Sequence, residues 1–245
     1  MNDTIKLLQS HRSIRKFTDR PVDQDIVDAL IRAGQCAATS SFIQACTVVQ
    51  VTDAEVREQL CEAAAGQRYV KEAPVFIVFC ADMQRHKLAC AMHHADMLSG
   101  FTEQFLTASL DCALFAQNVI IAAESLGLGG CYIGAIRNKI AEVDRLLELP
   151  DKVYPVFGMC LGYPAHDPET KPRLPLSVVL KQQVYHDDRD EALIASYDEE
   201  VRDYYRTRTG GKKDDSWSEQ ISGMLVKEAR PHMFAYLQSK GFLLK

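Results

Sequence analysis

The chain alternates between short, purely apolar runs and longer stretches whose apolar positions recur every three to four residues, and these two periods place its strands and helices. Pro74-Val75-Phe76-Ile77-Val78-Phe79-Cys80 is a continuous apolar run of strand length, which predicts a central strand buried on both faces. Val156 to Gly162 predicts a second buried strand, Thr47 to Val51, β-branched and bounded by polar residues, a third, and Cys131-Tyr132-Ile133 a fourth. Helical spacing predicts a first helix capped by Asp3 or Thr4 and running to Gln9. A second starts at Pro21 to Asp25, carries Ile26, Leu30 and Ile31 on one face and ends near Gly34. Ala54 to Ala65 and Asn138 to Leu149 read as further helices. Glu103 to Leu126 predicts the most apolar helix, with Phe105, Leu106, Leu110, Leu114, Val119 and Ile120 wrapping most of its surface, so it belongs inside the fold or between two subunits. After Pro175 the pattern turns polar, with acidic, tyrosine-rich helices around Tyr197, Tyr204 and Tyr205. Arg206 to Lys213, with two glycines, reads as a mobile basic loop, and Trp217 to Phe242 as an arm packed on the body or on a partner.

At 245 residues the chain is long enough for one substantial domain, expected as a core over 1–175 with a helical extension over 176–245. A hydrophobic share of 47% and a charged share of 25% are ordinary globular values and exclude disordered and fibrous classes. The net charge of -5 gives no reason to expect nucleic acid or an anionic membrane as a partner. No secretory segment follows Met1 and no uninterrupted apolar run of about 18 residues spans a bilayer, so a soluble, cytoplasmic protein is expected. The 8 cysteines form no C-x-x-C pair or zinc-like spacing and read as buried free thiols. Cys90, His93 and His94 cluster, but adjacent histidines leave a helix on different sides, so no metal site is expected.

The chemistry begins at His11-Arg12-Ser13-Ile14-Arg15, whose cationic, protonatable and hydroxyl side chains form the donor array that a dianionic phosphate needs in the absence of a metal. On a helical or turn-like backbone Arg12 and Arg15 share a face. Far downstream, Lys171-Pro172-Arg173-Leu174-Pro175 presents two more cations on a backbone stiffened by prolines. Residues 35 to 46 are small and polar and read as a loop able to approach a flat ligand. Gly127-Leu128-Gly129-Gly130 follows a helix and leads into a strand, the reverse of a dinucleotide fingerprint, and reads as a helix cap and tight turn.

In order along nearly the whole chain, HRSIRKFTDRPV from position 11, TSSFIQACTVVQVTD from 39, AQNVIIAAESLGLGGCYIGAIRN from 116, LGYPAHDPETKPRLP from 161 and DDSWSEQI from 214 resemble the nitroreductase-like FMN family. Within it they look like the oxygen-insensitive NADPH nitroreductases and NADPH-flavin oxidoreductases. The resemblance implies an α+β fold with a central mixed β-sheet flanked by helices, in an intertwined homodimer with FMN at the interface. It implies FMN binding by His11, Arg12, Ser13, Arg15, Gln67, Tyr132, Ile133, Gly134, Lys171 and Arg173, with Ser40, Ser41 and Gln44 reaching the flavin from the partner subunit. Arg208 matches the family's arginine for the NADPH 2′-phosphate. Lys213 stands where some members carry a second arginine, which leaves the strength of the NADPH preference open. The implied reaction is ping-pong reduction of nitroaromatics, quinones or free flavin by NADPH, with no side chain as covalent or general acid catalyst. A disulfide or metal complex as acceptor, or a flavin-binding redox module without turnover, are the alternatives. Arg208 argues against the last, since a passive flavin binder needs no dinucleotide phosphate site.

Overall fold

Along Val75–Asp82 successive side chains point into two different cores, Val75, Ile77, Phe79 and Ala81 into one and Phe76, Val78 and Cys80 into the other. This is the central strand that the apolar run predicts, and a layer of helices covers each of its faces. In the computed structural model, which describes residues 2–245, the chain divides into two units, residues 2–167 with Arg230–Lys245, and Pro168–Ala229. In the first unit the order is α1 (Asp3–Gln9), α2 (Gln24–Gln35), β1 (Cys46–Gln50), α3 (Ala54–Ala63), α4 (Tyr69–Glu72), β2 (Val75–Asp82), α5 (Gln84–Met92), α6 (Thr102–Ser125), β3 (Gly129–Ile133), α7 (Ile140–Leu146) and β4 (Val153–Gly162). The second holds α8 (Leu176–Val179), α9 (Asp190–Thr209) and α10 (Trp217–Leu225), and α11 (Met233–Ser239) returns to the first.

The sheet runs β1-β2-β4-β3, and all three pairings are antiparallel, not mixed. A strand buried on both faces is the usual mark of parallel pairing, but here helices shield both faces of an antiparallel sheet. Val27 and Leu30 of α2 and Ala108, Cys112, Ala116, Val119 and Ile120 of α6 fill one core, and Leu60 of α3 and Val143 of α7 the other. Small residues let α2 and α6 approach closely: a Cβ on Gly34 would lie 2.2 Å from the Phe115 ring. The 24-residue α6 is long and apolar enough to cross a membrane, yet one side of it lies in the core beside the sheet.

The second unit is built on Tyr197, Val201 and Tyr205 of α9, packed with Leu174, Tyr204 and Trp217. The basic loop expected over Arg206 to Lys213 is half helix, because α9 continues to Thr209 and stops at Gly210, whose φ of 59° is left-handed. Cations in the last turn suit the carbonyl end of a helix, and Gly211 N–H closes that end on Arg206 O at 2.8 Å. The arm expected over Trp217 to Phe242 also divides. Its α10 stays in the second unit, starting at a Ser216–Glu219 capping box, whereas α11 is tied to α7 through Tyr236 and Lys240 on Asp144.

Candidate functional site

The phosphate-type cluster is not on a helix. Residues 11–16 have no regular secondary structure and are pinned beside the end of the sheet, where Ile14 N–H donates to Gly130 O at 2.9 Å, Thr18 N–H to Tyr163 O at 2.9 Å, and Phe17 bridges Pro164. The shared helical face expected for Arg12 and Arg15 is therefore replaced by an extended strip, which Ile14 anchors by its buried side chain. The strip lies flush because β3 opens with two glycines: a Cβ on Gly129 would fall 2.4 Å from Ile14 Cγ1.

Two of its side chains are oriented by carboxylates. His11 Nδ1 bonds Glu124 Oε1 at 2.6 Å, and Arg12 donates from Nε to Asp167 Oδ1 at 2.7 Å and from Nη1 to Ser10 O at 3.0 Å. Arg15 is exposed and has no carboxylate partner among the described residues. It lies beside Tyr69, where burial pushes the phenol pKa up and the Arg15 charge pulls it back. Gln67 sits two residues before Tyr69, in the turn that Gly66 makes with φ of 70° after α3. Next to the strip, β3 delivers Tyr132, Ile133 and then Gly134, the first residue of a 3-10 turn. Tyr132 packs edge-on against Phe157 at 5.1 Å and reaches Gln117 Oε1 at 3.3 Å, and burial, with Glu124 nearby, moves its phenol up to about 12. Ile14 on Gly130 and Arg15 beside Tyr69 thus set residues 11–15 next to the start of β3 and to the segment that follows Gln67.

Ser40, Ser41 and Gln44 lie elsewhere in the first unit, on an exposed turn between α2 and β1. Ser41, Phe42 and Gln44 all have positive φ, at 47°, 58° and 57°, a conformation non-glycine residues hold only when their surroundings impose it. Among the described residues no hydrogen bond or ion pair joins this turn to residues 11–16.

The remaining residues belong to the second unit. Lys171 Nζ donates to Tyr205 OH at 2.8 Å, and Lys213 Nζ stands 4.1 Å from the centre of the same ring. Burial raises the Tyr205 phenol pKa, but Lys171, Lys213 and the hydrogen bond with Gln220 together outweigh it and leave it below the ordinary value. Lys171 and Lys213, which the resemblance assigns to different ligands, therefore share one cationic cluster. Arg208 donates to Tyr204 OH at 3.0 Å from the last turn of α9, and Arg173 is exposed.

Sequence reasoning did not single out the residues that orient these groups: Glu124, Asp167, Tyr69, Tyr205, and, around the 40–44 turn, Arg85, His86 and Asp111. For Asp111 a signal was present, since it is the one charged side chain between Glu103 and Glu124 in the most apolar helix. A carboxylate there needs hydrogen-bond donors.

Comparison with known proteins agrees with this architecture. The profile of the nitroreductase family matches residues 8–163, and that of the nitroreductase family C-terminal domain matches residues 171–245. The chain is 46% identical over 242 residues to the NADPH-flavin oxidoreductase of Vibrio harveyi, covering 98% of both proteins. It is also 46% identical to the oxygen-insensitive NADPH nitroreductase of Salmonella typhimurium, covering 99% of both. The solved structure of NADPH:FMN oxidoreductase from Vibrio harveyi complexed with NAD+ superimposes with a TM-score of 0.92 at 43% identity, over 100% of each chain. The chain belongs to the nitroreductase family, and its α+β architecture is the nitroreductase fold.

Proposed function

We propose that the protein is an FMN-dependent NADPH oxidoreductase that reduces nitroaromatics, quinones or free flavin. The observation that carries this reading is the extended strip at 11–16, where Arg15 stands without a carboxylate partner beside Tyr69 while His11 and Arg12 are already oriented. The donor set fits FMN. Ser13 and Arg15 offer a hydroxyl and a guanidinium fork to phosphate oxygens, and Tyr132, Ile133 and Gly134 are assigned to the flavin by their match to the family. FMN, when bound, supplies the hydride chemistry. The chain's own task is to bind, orient and exclude water, which is why no general acid or nucleophile is assigned. Gln67 contributes a side-chain amide toward the ring, and Lys171 and Arg173 are assigned to the FMN phosphate by their match to the family.

The working unit is proposed to be a homodimer. Leu106, Leu110 and Leu114 recur at four-residue spacing on α6 and are 46%, 60% and 48% exposed, an uncovered apolar stripe on a helix whose other side is core. Phe42, at the tip of the 40–44 turn, is 81% exposed. A partner covering this face would receive Ser40, Ser41 and Gln44 at its own flavin, consistent with their separation from residues 11–16 within one chain. The 8 free cysteines support a reducing, cytoplasmic setting.

Arg208 and Lys213 are assigned to the 2′-phosphate of NADPH. Arg208→Ala is expected to raise KM for NADPH about tenfold or more, the loss of one charge-assisted pair, and to leave NADH nearly unaffected. Raising salt should weaken NADPH in the same way, because an exposed pair is screened over about 10 Å at 0.1 M. Equal losses for both coenzymes in steady-state kinetics would remove the 2′-phosphate from the role of Arg208.

A further inference from the structure

The 40–44 turn holds three residues at positive φ, and four backbone groups at its base, Ser40 N–H, Ala45 N–H, Ile43 O and Gln44 O, are held by side chains from other elements. The Asp111 carboxylate, buried in α6, accepts from Ser40 N–H at 3.1 Å through one oxygen and from Ala45 N–H at 2.9 Å through the other, so it spans the turn from its first residue to the residue after its last. From the opposite side, Arg85 Nη1 donates to Gln44 O at 3.1 Å and His86 Nε2–H to Ile43 O at 2.6 Å. Because a carbonyl only accepts, that contact fixes the His86 proton on Nε2. Both side chains come from the first turn of α5, which Asp82 fastens to the end of β2 by accepting Gln84 N–H at 2.8 Å and Thr47 Oγ1–H at 2.5 Å. A rigid path therefore runs from the sheet through α5 to one flank of the turn, and from α6 to the other.

We infer that Asp111, Arg85 and His86 are positioning residues that clamp the 40–44 turn in its strained form, so that Ser40, Ser41 and Gln44 are presented ready-made to FMN bound by a second copy of the chain. This rests on the function proposed above, and it gives α5, which the residue pattern leaves without a role, a task in cofactor binding. In this inference the three act through the turn and not by direct contact with the cofactor. Their effect is on the conformational cost of ordering the turn, which unclamped residues would meet at each binding event.

Two measurements on the full-length protein separate the clamp from the function. The first is backbone hydrogen exchange at Ser40 and Ala45 without FMN. Asp111→Asn, which keeps the shape but removes the charge that holds both amides, is expected to speed exchange at both roughly tenfold or more, with β2 and β4 unchanged. His86→Leu should loosen the same turn to a smaller degree, and His86→Gln, whose amide N–H still reaches the Ile43 carbonyl, should restore it. The second is FMN titration by fluorescence quenching, in which the dissociation constant is expected to rise about tenfold for Asp111→Asn and to recover in His86→Gln relative to His86→Leu. Unchanged exchange in both Asp111→Asn and His86→Leu overturns the clamp, and so does a loosened turn with unaltered FMN affinity. If Asp111→Asn does not fold, the His86 pair decides. Failure of the unaltered protein to bind FMN, with the exchange results as expected, overturns the proposed function instead.

Discussion

Replacing Gly130 by alanine is expected to destabilise the protein by about 2 to 3 kcal/mol, the cost of overpacking against atoms that cannot rotate away. The added Cβ would sit 2.4 Å from the Cys160 carbonyl oxygen, on the backbone of the neighbouring strand, and 2.7 Å from Leu161 Cδ2. A side chain clash can be relieved by a rotamer change, but a backbone oxygen in the middle of a ladder moves only if β3 and β4 part. The Gly130 carbonyl is also the acceptor for Ile14 N–H, so the displacement passes directly to the strip bearing Arg15. Weaker FMN binding should therefore accompany the lower melting temperature. Two other glycines calibrate the effect. Nothing lies within 4 Å of a Cβ on Gly127, whose φ is 77°, so its alanine variant should cost only about 1 kcal/mol of backbone strain. Gly223 in α10 has open space and no positive φ, so alanine there should stabilise slightly, by about 0.5 kcal/mol or more. Thermal melts that ranked Gly130→Ala no worse than Gly127→Ala would contradict the tight β3–β4 contact.

The second large effect is expected at Asp144, with a loss of about 3 kcal/mol or more in Asp144→Ala. Lys240, its side chain 9% exposed, places Nζ 2.9 Å from Asp144 Oδ2 and 2.9 Å from Leu149 O, and Tyr236 OH donates to the same carboxylate at 2.7 Å. Removing the carboxylate leaves the phenol without an acceptor and the ammonium with only the neutral Leu149 carbonyl in a nearly dry setting, and that uncompensated polarity costs more than the pair contributes. The Tyr236 phenol is already pushed well above its ordinary range by burial and by the Asp144 charge. Adding Lys240→Met to Asp144→Leu should recover much of the loss, since apolar side chains of similar size often substitute for a buried ion pair at little cost. Denaturant melts of the single and double variants test this. Purely additive losses would mean that the two side chains do not depend on one another, and that α11 is docked by other contacts.

How much of this was legible in the sequence differs from element to element. The continuous apolar run of β2 and the apolar surface of α6 are written in consecutive residues, and local pattern suffices for both. The direction of strand pairing is not local, and a strand buried on both faces reads the same whether its neighbours are parallel or antiparallel. Arg206 to Thr209 read as loop because of the glycines behind them, although Gly210 and Gly211 end the helix without preventing its last turn. At the site, the residue types were visible at 11–15, but their extended course depends on Ile14 pairing with Gly130, 116 residues away by chain number. The partners that orient His11 and Arg12 are as remote, at Glu124 and Asp167. The contacts on the 40–44 turn join α5 and α6 to it through a few side-chain hydrogen bonds, for which no sequence periodicity exists.

The most direct test mixes the purified protein, loaded with FMN, with NADPH and separately with NADH under anaerobic conditions, and follows the visible flavin absorbance before a quinone, a nitroaromatic or free flavin is added. NADPH is expected to bleach the flavin within the time of a single turnover, NADH to do so less efficiently, and the acceptor to restore the colour. Flavin absorbance that stays unchanged on mixing with excess NADPH would contradict the proposed function.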